Sequence, residues 1–146
     1  MRTLFIGAWR LVRYAYQTET GEVRSPFGEN PKGLIMYDAS GMVSVQILSA
    51  ERPLFATEDM FAASDKDIRL AYLGLNTYYG TFTVDESQHI VTHHLEGSSV
   101  LNREGTDLVR TYEFTQEDGV QYLTLKAVPR LMNGEMLTGV LVWSRV

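Results

Sequence analysis

The stretch that decides the fold is residues 80–113, GTFTVDESQHIVTHHLEGSSVLNREGTDLVRTYE. Polar and apolar side chains alternate along it, and turn-forming residues interrupt the alternation at 85–87 and at 102–105. A period of two residues is typical of strands that bury one face, because successive side chains point to opposite sides. The stretch therefore predicts consecutive antiparallel strands that are joined by short turns.

The same pattern continues over most of the chain and predicts eight strands, with one helix inserted between the third and the fourth. The strands are predicted at residues 8–18, 34–37, 42–48, 81–85, 89–100, 107–115, 121–128 and 136–146. Eight antiparallel strands can close into a barrel just wide enough to hold side chains or one small ligand. We therefore predict an all-β fold, an eight-stranded antiparallel up-and-down β-barrel.

The predicted helix follows a long irregular segment, residues 49–63, of the length that lids and binding loops often have. Ser64 is predicted to cap the helix, with Asp67 in the capping-box position. Residues at helical spacing then define one face, formed by Ile68, Tyr72, Leu75 and Tyr79. Two compatible roles are open for this face: it packs against the sheet, or it covers a pocket in which Tyr72 contacts a ligand.

The composition indicates a single domain over residues 1–146, since a chain of this length can bury a core of ordinary size. The net charge is −5 and the 13 lysines and arginines are scattered, which argues against a nucleic-acid partner. The absence of cysteine excludes disulfides and cysteine-ligated zinc. The apolar run near the N-terminus is too short for a signal peptide or a spanning helix, so we expect a cytoplasmic protein without membrane contact.

Several segments carry a family resemblance. Gly7-Ala8-Trp9 is similar to the G-x-W signature of lipocalins, and Arg145 is expected to pack over that tryptophan. A wider resemblance, to the lipocalin-like domain proteins of bacteria and fungi, rests on GAWRLV (7–12), PFGENPKGLIMY (26–37), GMVSVQI (41–47), YYGTFTVD (78–85), VTHHLEGS (91–98), GTDLVR (105–110) and LVWSRV (141–146). It implies an eight-stranded calyx that binds small hydrophobic molecules. Related barrels in natural-product pathways act as cofactor-free cyclases or isomerases, so no cofactor is expected.

Strand alternation indicates which polar side chains reach the interior of the barrel. His93 lies on the apolar face of its strand, so it is predicted inside and His94 outside. Arg110 and Tyr112 share the apolar face of the next strand. We therefore predict that His93, Arg110 and Tyr112 form the polar anchor of a pocket. Two roles stay open. The three residues orient a carbonyl or enolate, or His93 transfers a proton; alternatively, His93 and Arg110 satisfy each other or the backbone and only stabilise the barrel.

Other candidate residues are weaker. Gln46 is predicted to face solvent, and in the opposite register it becomes a hydrogen-bond donor in the pocket. Roughly 13 Å separates His89 from His93 on a strand that rises ~3.3 Å per residue, too far to share one ion, so no metal site is expected. Trp9 and Trp143, together with Arg145, are expected to mark the closed end of the barrel.

Three functions follow from these interpretations. The leading one is a barrel that binds a hydrophobic small molecule in its central pocket. The alternative is a cofactor-independent cyclase or isomerase that acts on a polyketide-like natural-product substrate inside the same barrel. The third is an interaction module that forms a homodimer through its outer strand faces.

Overall fold

The computed structural model describes residues 2–146 and consists mainly of strands. The strands are β1 (Gly7–Thr18), β2 (Val23–Arg24), β3 (Lys32–Tyr37), β4 (Met42–Leu48), β5 (Leu75–Asp85), β6 (Ile90–Ser98), β7 (Asp107–Glu117), β8 (Val120–Ala127), β9 (Arg130–Met132) and β10 (Glu135–Arg145). The helices are α1 (Arg2–Phe5) and α2 (Asp65–Leu73), with 3₁₀ turns at Met60–Ala62 and Leu101–Arg103. None of the described helices has the length and apolar character needed to cross a bilayer.

Eight of these strands form a closed antiparallel barrel, which confirms the predicted fold. Around the barrel the order is β1, β3, β4, β5, β6, β7, β8 and β10, and β10 pairs with β1 from Trp9 opposite Arg145 to Thr18 opposite Leu137. The short strand β2 pairs with the C-terminal part of β1, and β9 pairs with the N-terminal part of β10. These two parts are neighbours, so both short strands lie at the same end of the barrel. Closure pairs each barrel strand on both sides and removes the exposed edges of an open sheet.

Helix α2 lies between β4 and β5, which are the third and fourth strands of the barrel. The Ser64 hydroxyl accepts a hydrogen bond from the Asp67 backbone N–H (3.2 Å), which confirms the predicted cap. The helix ends before Gly74, and β5 begins at Leu75 instead of residue 81. The predicted continuation of the helical face to Leu75 and Tyr79 is wrong, because this aromatic and β-branched run pairs with β4 instead.

The side chains of α2 are more exposed than the sequence predicted for the face that includes Ile68 and Tyr72. None of its side chains is buried, and Ile68 and Tyr72 are 43% and 48% exposed. The Tyr72 hydroxyl donates a hydrogen bond to the Ser99 carbonyl. The expected burial of this face against the sheet is therefore wrong, and Tyr72 instead links α2 to the connection between β6 and β7.

Two irregularities change which side chains face inward. In β1, Trp9 and Leu11 are buried. A register shift between Leu11 and Arg13 then changes the alternation, so that Val12 and Arg13 are both exposed and Tyr14 is buried. In β5, a second shift occurs at Gly80. A Cβ atom at Gly80 would come 1.8 Å from the His94 carbonyl oxygen, so only glycine permits this close approach of β5 and β6.

The N-terminal helix closes one end of the barrel. The ring of Phe5 is fully buried and packs edge-to-face on Tyr37 and Tyr112, with ring centroids 5.1 and 4.9 Å away. The Trp9 indole N–H donates to the Phe5 carbonyl (2.8 Å). The Arg145 guanidinium lies 4.2 Å from the Trp9 ring and donates to two backbone carbonyls of the α1 segment, at 2.6 and 2.9 Å. The predicted arginine–tryptophan contact at the closed end is confirmed.

Buried side chains also fill the middle of the barrel, where the sequence predicted a central pocket. They include Tyr37, Val45, Tyr78, Phe82, His93, Leu108 and Trp143. Close packing of this kind leaves no room for a guest beside them. The space that could admit a ligand lies nearer the end opposite α1, which we call the open end.

Candidate ligand-binding site at the open end

The candidate site is a cavity at the open end of the barrel. Part of its wall is apolar, formed by Ala127, Val128, Met132, Leu137 and Leu141. The other part is polar, formed by Tyr14, Tyr16, Asn76, Arg103, Arg110 and Arg130. The space open to the centre of a water-sized molecule is about 30 Å³, which admits only very small groups. The cavity therefore combines apolar walls with a concentration of cationic side chains.

The three arginines reach the cavity from three different elements. Arg110 points inward from β7, in phase with the buried Leu108 and Tyr112, as strand alternation predicted. Arg103 ends the 3₁₀ turn between β6 and β7, and Arg130 begins β9. Both connections lie at the open end, because the up-and-down order returns the chain there after β6 and after β8. Each of the three arginine side chains is half-buried.

These arginines have no acidic partner in the described part of the chain. The ion pairs formed by residues 2–146 involve Arg24 and His94, and none involves Arg103, Arg110 or Arg130. Burial lowers the pKa of Arg130, and the nearby charges of Arg103 and Arg110 lower it further. An arginine stays protonated in spite of such a shift, so the cavity holds a local excess of positive charge.

Two tyrosines and one asparagine complete the polar wall. The Tyr14 and Tyr16 hydroxyls hydrogen-bond to each other. Burial raises the pKa of Tyr14 strongly, and the neighbouring Tyr16 raises it further, so the hydroxyl keeps its proton. The side-chain oxygen of Asn76 is buried and has no hydrogen-bond partner among the described residues. A buried polar atom without a partner is costly, and a bound molecule can supply the missing contact.

Deeper in the barrel, His93 joins two tyrosines. Its Nε2 is 2.8 Å from the Tyr37 hydroxyl, and its Nδ1 is 2.8 Å from the Tyr78 hydroxyl. Burial lowers the pKa of His93 well below its ordinary value, and the Arg110 charge lowers it further, so the ring is neutral. A neutral imidazole has one donor and one acceptor nitrogen, so one tyrosine donates to it and the other accepts from it. The inward position predicted for His93 is confirmed.

Arg110 lies between this buried network and the cavity. Burial raises the pKa of Tyr78, and the positive charge of Arg110 opposes that increase. His93 and Arg110 therefore belong to one neighbourhood, as the sequence predicted for side chains on adjacent strands. Of these two residues, Arg110 lines the cavity and His93 does not. Both ring nitrogens of His93 are engaged by tyrosines.

The structure places the other predicted site residues outside the cavity. Tyr112 faces inward but lies at the closed end, where it packs on Phe5. Gln46 is exposed on the outer face of β4, in the register that the sequence favoured. Tyr72 is exposed on α2, and its hydroxyl donates to the Ser99 carbonyl instead of lining the cavity. These three residues do not line the cavity, and their proposed contact with a ligand stays a prediction.

Sequence reasoning missed Arg103, Arg130 and Asn76. Strand alternation identifies inward residues within long strands, whereas Arg103 lies in a turn and Arg130 in a three-residue strand. Asn76 fell within the segment predicted as helix and begins β5 instead. A signal was present for the arginines, because in an up-and-down barrel alternate connections meet at the same end. Polar residues in those connections are then neighbours in space.

The described residues offer no alternative centred on a metal ion. In residues 2–146, no group of three or more histidine, cysteine, aspartate or glutamate side chains is arranged to hold a metal. His94, on the outer face of the barrel, instead pairs with Asp107 (2.8 Å) and contacts the Thr83 hydroxyl (2.9 Å). The chemistry available at the open end is therefore that of guanidinium, phenol and amide groups beside an apolar wall.

Comparison with known proteins agrees with this architecture. A family model described as a lipocalin-like domain matches residues 6–146, almost the whole chain. No curated protein matches the sequence. The comparison therefore identifies a family, and the nature of the ligand has to be argued from the site itself.

Proposed function

The chain belongs to the lipocalin-like domain family, and we propose that it binds a hydrophobic small molecule at the open end of its barrel. A lipocalin-like barrel is a fold that holds ligands, and its open end is where a guest enters. The observation that supports the proposal is the cavity at that end, which both apolar and polar side chains line. The apolar wall would supply burial, and the polar groups would set the orientation of the ligand.

Exposed apolar side chains near the open end support the same proposal. Leu54 and Phe61 are 96% and 91% exposed, in the segment that connects β4 to α2. This segment begins after the end of β4, which pairs with the start of β5 at the open end of the barrel. Covering such side chains with an apolar ligand would contribute ~25 cal/mol for each Å² removed from water. This segment is the proposed lid.

The small volume of the cavity determines how the ligand would bind. About 30 Å³ admits one small group of a ligand and not a whole molecule. The rest of the ligand would extend through the opening or displace the long side chains that line it, such as Met132 and Arg130. A cytoplasmic location and a homodimer stay predictions from the sequence and are not needed for this proposal.

The second candidate function is the cofactor-independent cyclase or isomerase with a polyketide-like substrate. The observation that favours it is the hydrogen-bonded series Tyr37–His93–Tyr78, which lies in the electrostatic neighbourhood of the cavity-lining Arg110. A guanidinium that is held in place from behind can stabilise the negative charge that develops on an enolate oxygen. In that role His93 would fix the position of Tyr78 and Arg110 without touching the substrate.

The proposal is tested by closing the cavity from within. Gly139 lines the cavity, and a Cβ atom there would already be 3.2 Å from the Tyr16 ring. We expect Gly139→Val to fill the space and to weaken binding of the neutral hydrophobic dye Nile red at least ten-fold. Native mass spectrometry of the purified proteins would show in parallel whether a co-purified ligand is lost.

The matched control is Thr138→Val, which also introduces valine but does so on the outer face of β10. It should bind Nile red as the unmodified protein does, with a similar thermal midpoint. Equal dye affinity for Gly139→Val and the unmodified protein, with both folded, would contradict binding in this cavity. Turnover of a bound polyketide-like substrate by the unmodified protein would decide for the enzyme over the binder.

A further inference from the structure

The cationic side of the cavity is unusual for this chain. The protein has a net charge of −5, yet three of its ten arginines line one small cavity. Arg24, in contrast, pairs at the surface with Glu22 (2.8 Å) and with Glu135 (3.3 Å). The three cavity arginines lack any such partner among residues 2–146. Their arrangement leaves positive charge unbalanced in a half-buried place.

This imbalance costs free energy in the unliganded protein. Guanidinium groups that share a cavity repel one another, and partial burial removes part of the water that would screen them. A bound anion would remove both costs, since it supplies the missing opposite charge and accepts the N–H donors. A cluster of this kind is therefore better explained by a ligand than by stability of the barrel.

We propose that Arg103, Arg110 and Arg130 bind the carboxylate of an amphipathic ligand whose apolar part extends along Met132 and Val128 to the opening. This inference rests on the proposed function and specifies its ligand class. The carboxylate is the part of the ligand that enters the cavity, and the apolar part lies nearer to solvent and under the proposed lid. The proposed ligand is thus a monocarboxylic acid with an apolar tail.

Two features favour a carboxylate over a larger anion. The volume of about 30 Å³ suits a flat group of three heavy atoms better than a tetrahedral phosphate with its hydration shell. Guanidinium groups also match carboxylates geometrically, through two parallel N–H···O hydrogen bonds. The Tyr16 hydroxyl, which lines the same cavity, is a further donor.

The apolar side of the cavity accounts for the rest of the ligand. Leu137 and Leu141 are buried in the wall, while Val128 and the adjacent Leu131 are 52% and 71% exposed near the opening. Apolar surface therefore continues from the cavity to solvent. An aliphatic or aromatic tail that follows it would be removed from water while the carboxylate stays among the arginines.

The test compares three probes that share one alkyl chain: decanoate, decanol and decyl phosphate. Their affinities for the unmodified protein are measured by isothermal titration calorimetry at low and high salt. We expect decanoate to bind at least ten-fold more tightly than the other two, with an affinity that falls as salt is added. This comparison needs no variant and does not depend on the folding of a mutant.

A variant then assigns the effect to the arginines. Arg130→Met keeps an unbranched side chain and removes the charge, and we expect at least a ten-fold loss for decanoate with little change for decanol. The control is Arg13→Met, which removes an exposed arginine from the outer face of β1. It should leave both affinities unchanged.

The outcomes separate this inference from the proposed function. Equal affinity for decanoate and decanol, both reduced in Gly139→Val, would overturn the carboxylate assignment and leave the hydrophobic site in place. Tighter binding of decyl phosphate would also overturn it. If none of the three probes nor Nile red binds, the proposed function fails and the inference fails with it.

Discussion

The buried His93 makes acid stability a direct test of the interior network. Its ring is fully buried between the Tyr37 and Tyr78 hydroxyls, and burial with the Arg110 charge lowers its pKa well below the ordinary value of 6.5. In the unfolded chain the same ring is protonated once the pH falls below that value. The unfolded state then binds more protons than the folded state, so the free energy of unfolding must decrease as the pH falls.

The size of the effect follows from this difference in pKa. For a histidine that titrates normally when unfolded and stays neutral in the folded protein, the slope approaches about 1.4 kcal/mol per pH unit. Between about pH 7.5 and about pH 5 this amounts to a loss of about 2 kcal/mol. The contribution is complete above the unfolded pKa and is lost as the pH falls toward the folded one. Urea unfolding followed by tryptophan fluorescence at several pH values measures it.

The variant His93→Gln removes the titrating group and keeps one donor and one acceptor. We expect it to be less stable by about 1–3 kcal/mol at neutral pH, because its contacts with Tyr37 and Tyr78 are imperfect. Its stability should change little over the same pH range. The control His94→Gln removes the neighbouring histidine on the outer face and should keep the slope of the unmodified protein. Parallel pH profiles for His93→Gln and the unmodified protein would refute the reasoning.

Two further predictions concern the barrel itself. Arg145→Met removes the hydrogen bonds to the α1 carbonyls and the contact with Trp9, so the thermal midpoint should fall by an amount equivalent to about 2 kcal/mol; an unchanged midpoint would show that α1 does not depend on this arginine. Gly80→Ala places a Cβ against the His94 carbonyl and should lower the free energy of unfolding, measured with urea, by at least about 3 kcal/mol. Gly105→Ala, in open space with positive φ, should cost only about 1 kcal/mol, and equal losses would contradict the packing argument.

Much of the architecture could be predicted because it depends on local patterns. Alternation along residues 80–113 determines both the strands and the faces they bury, so His93 and Arg110 were assigned to the interior correctly. The cap at Ser64 was also readable, since it needs only a hydroxyl and a backbone N–H three residues away. These features follow from interactions within a few residues of the chain.

The errors arise where a long-range contact outweighs a local pattern. Residues 75–79 have helical spacing of apolar side chains, yet Leu75 and Tyr79 pair with β4 in the strand β5. The register shift between Leu11 and Arg13, which strand alternation did not predict, likewise depends on pairing with β10. Neither feature has a sufficient signal in its own segment.

By itself, then, the sequence determined a closed antiparallel barrel with His93 and Arg110 facing inward. Only the tertiary structure decided that the middle of the barrel is filled and that the candidate cavity lies at the open end. It also brought Arg103 and Arg130 to Arg110, from connections that alternation does not describe. The physical reason is that a strand's buried face is set by residues two positions apart, whereas a cavity is set by the closure of strands far apart in the chain.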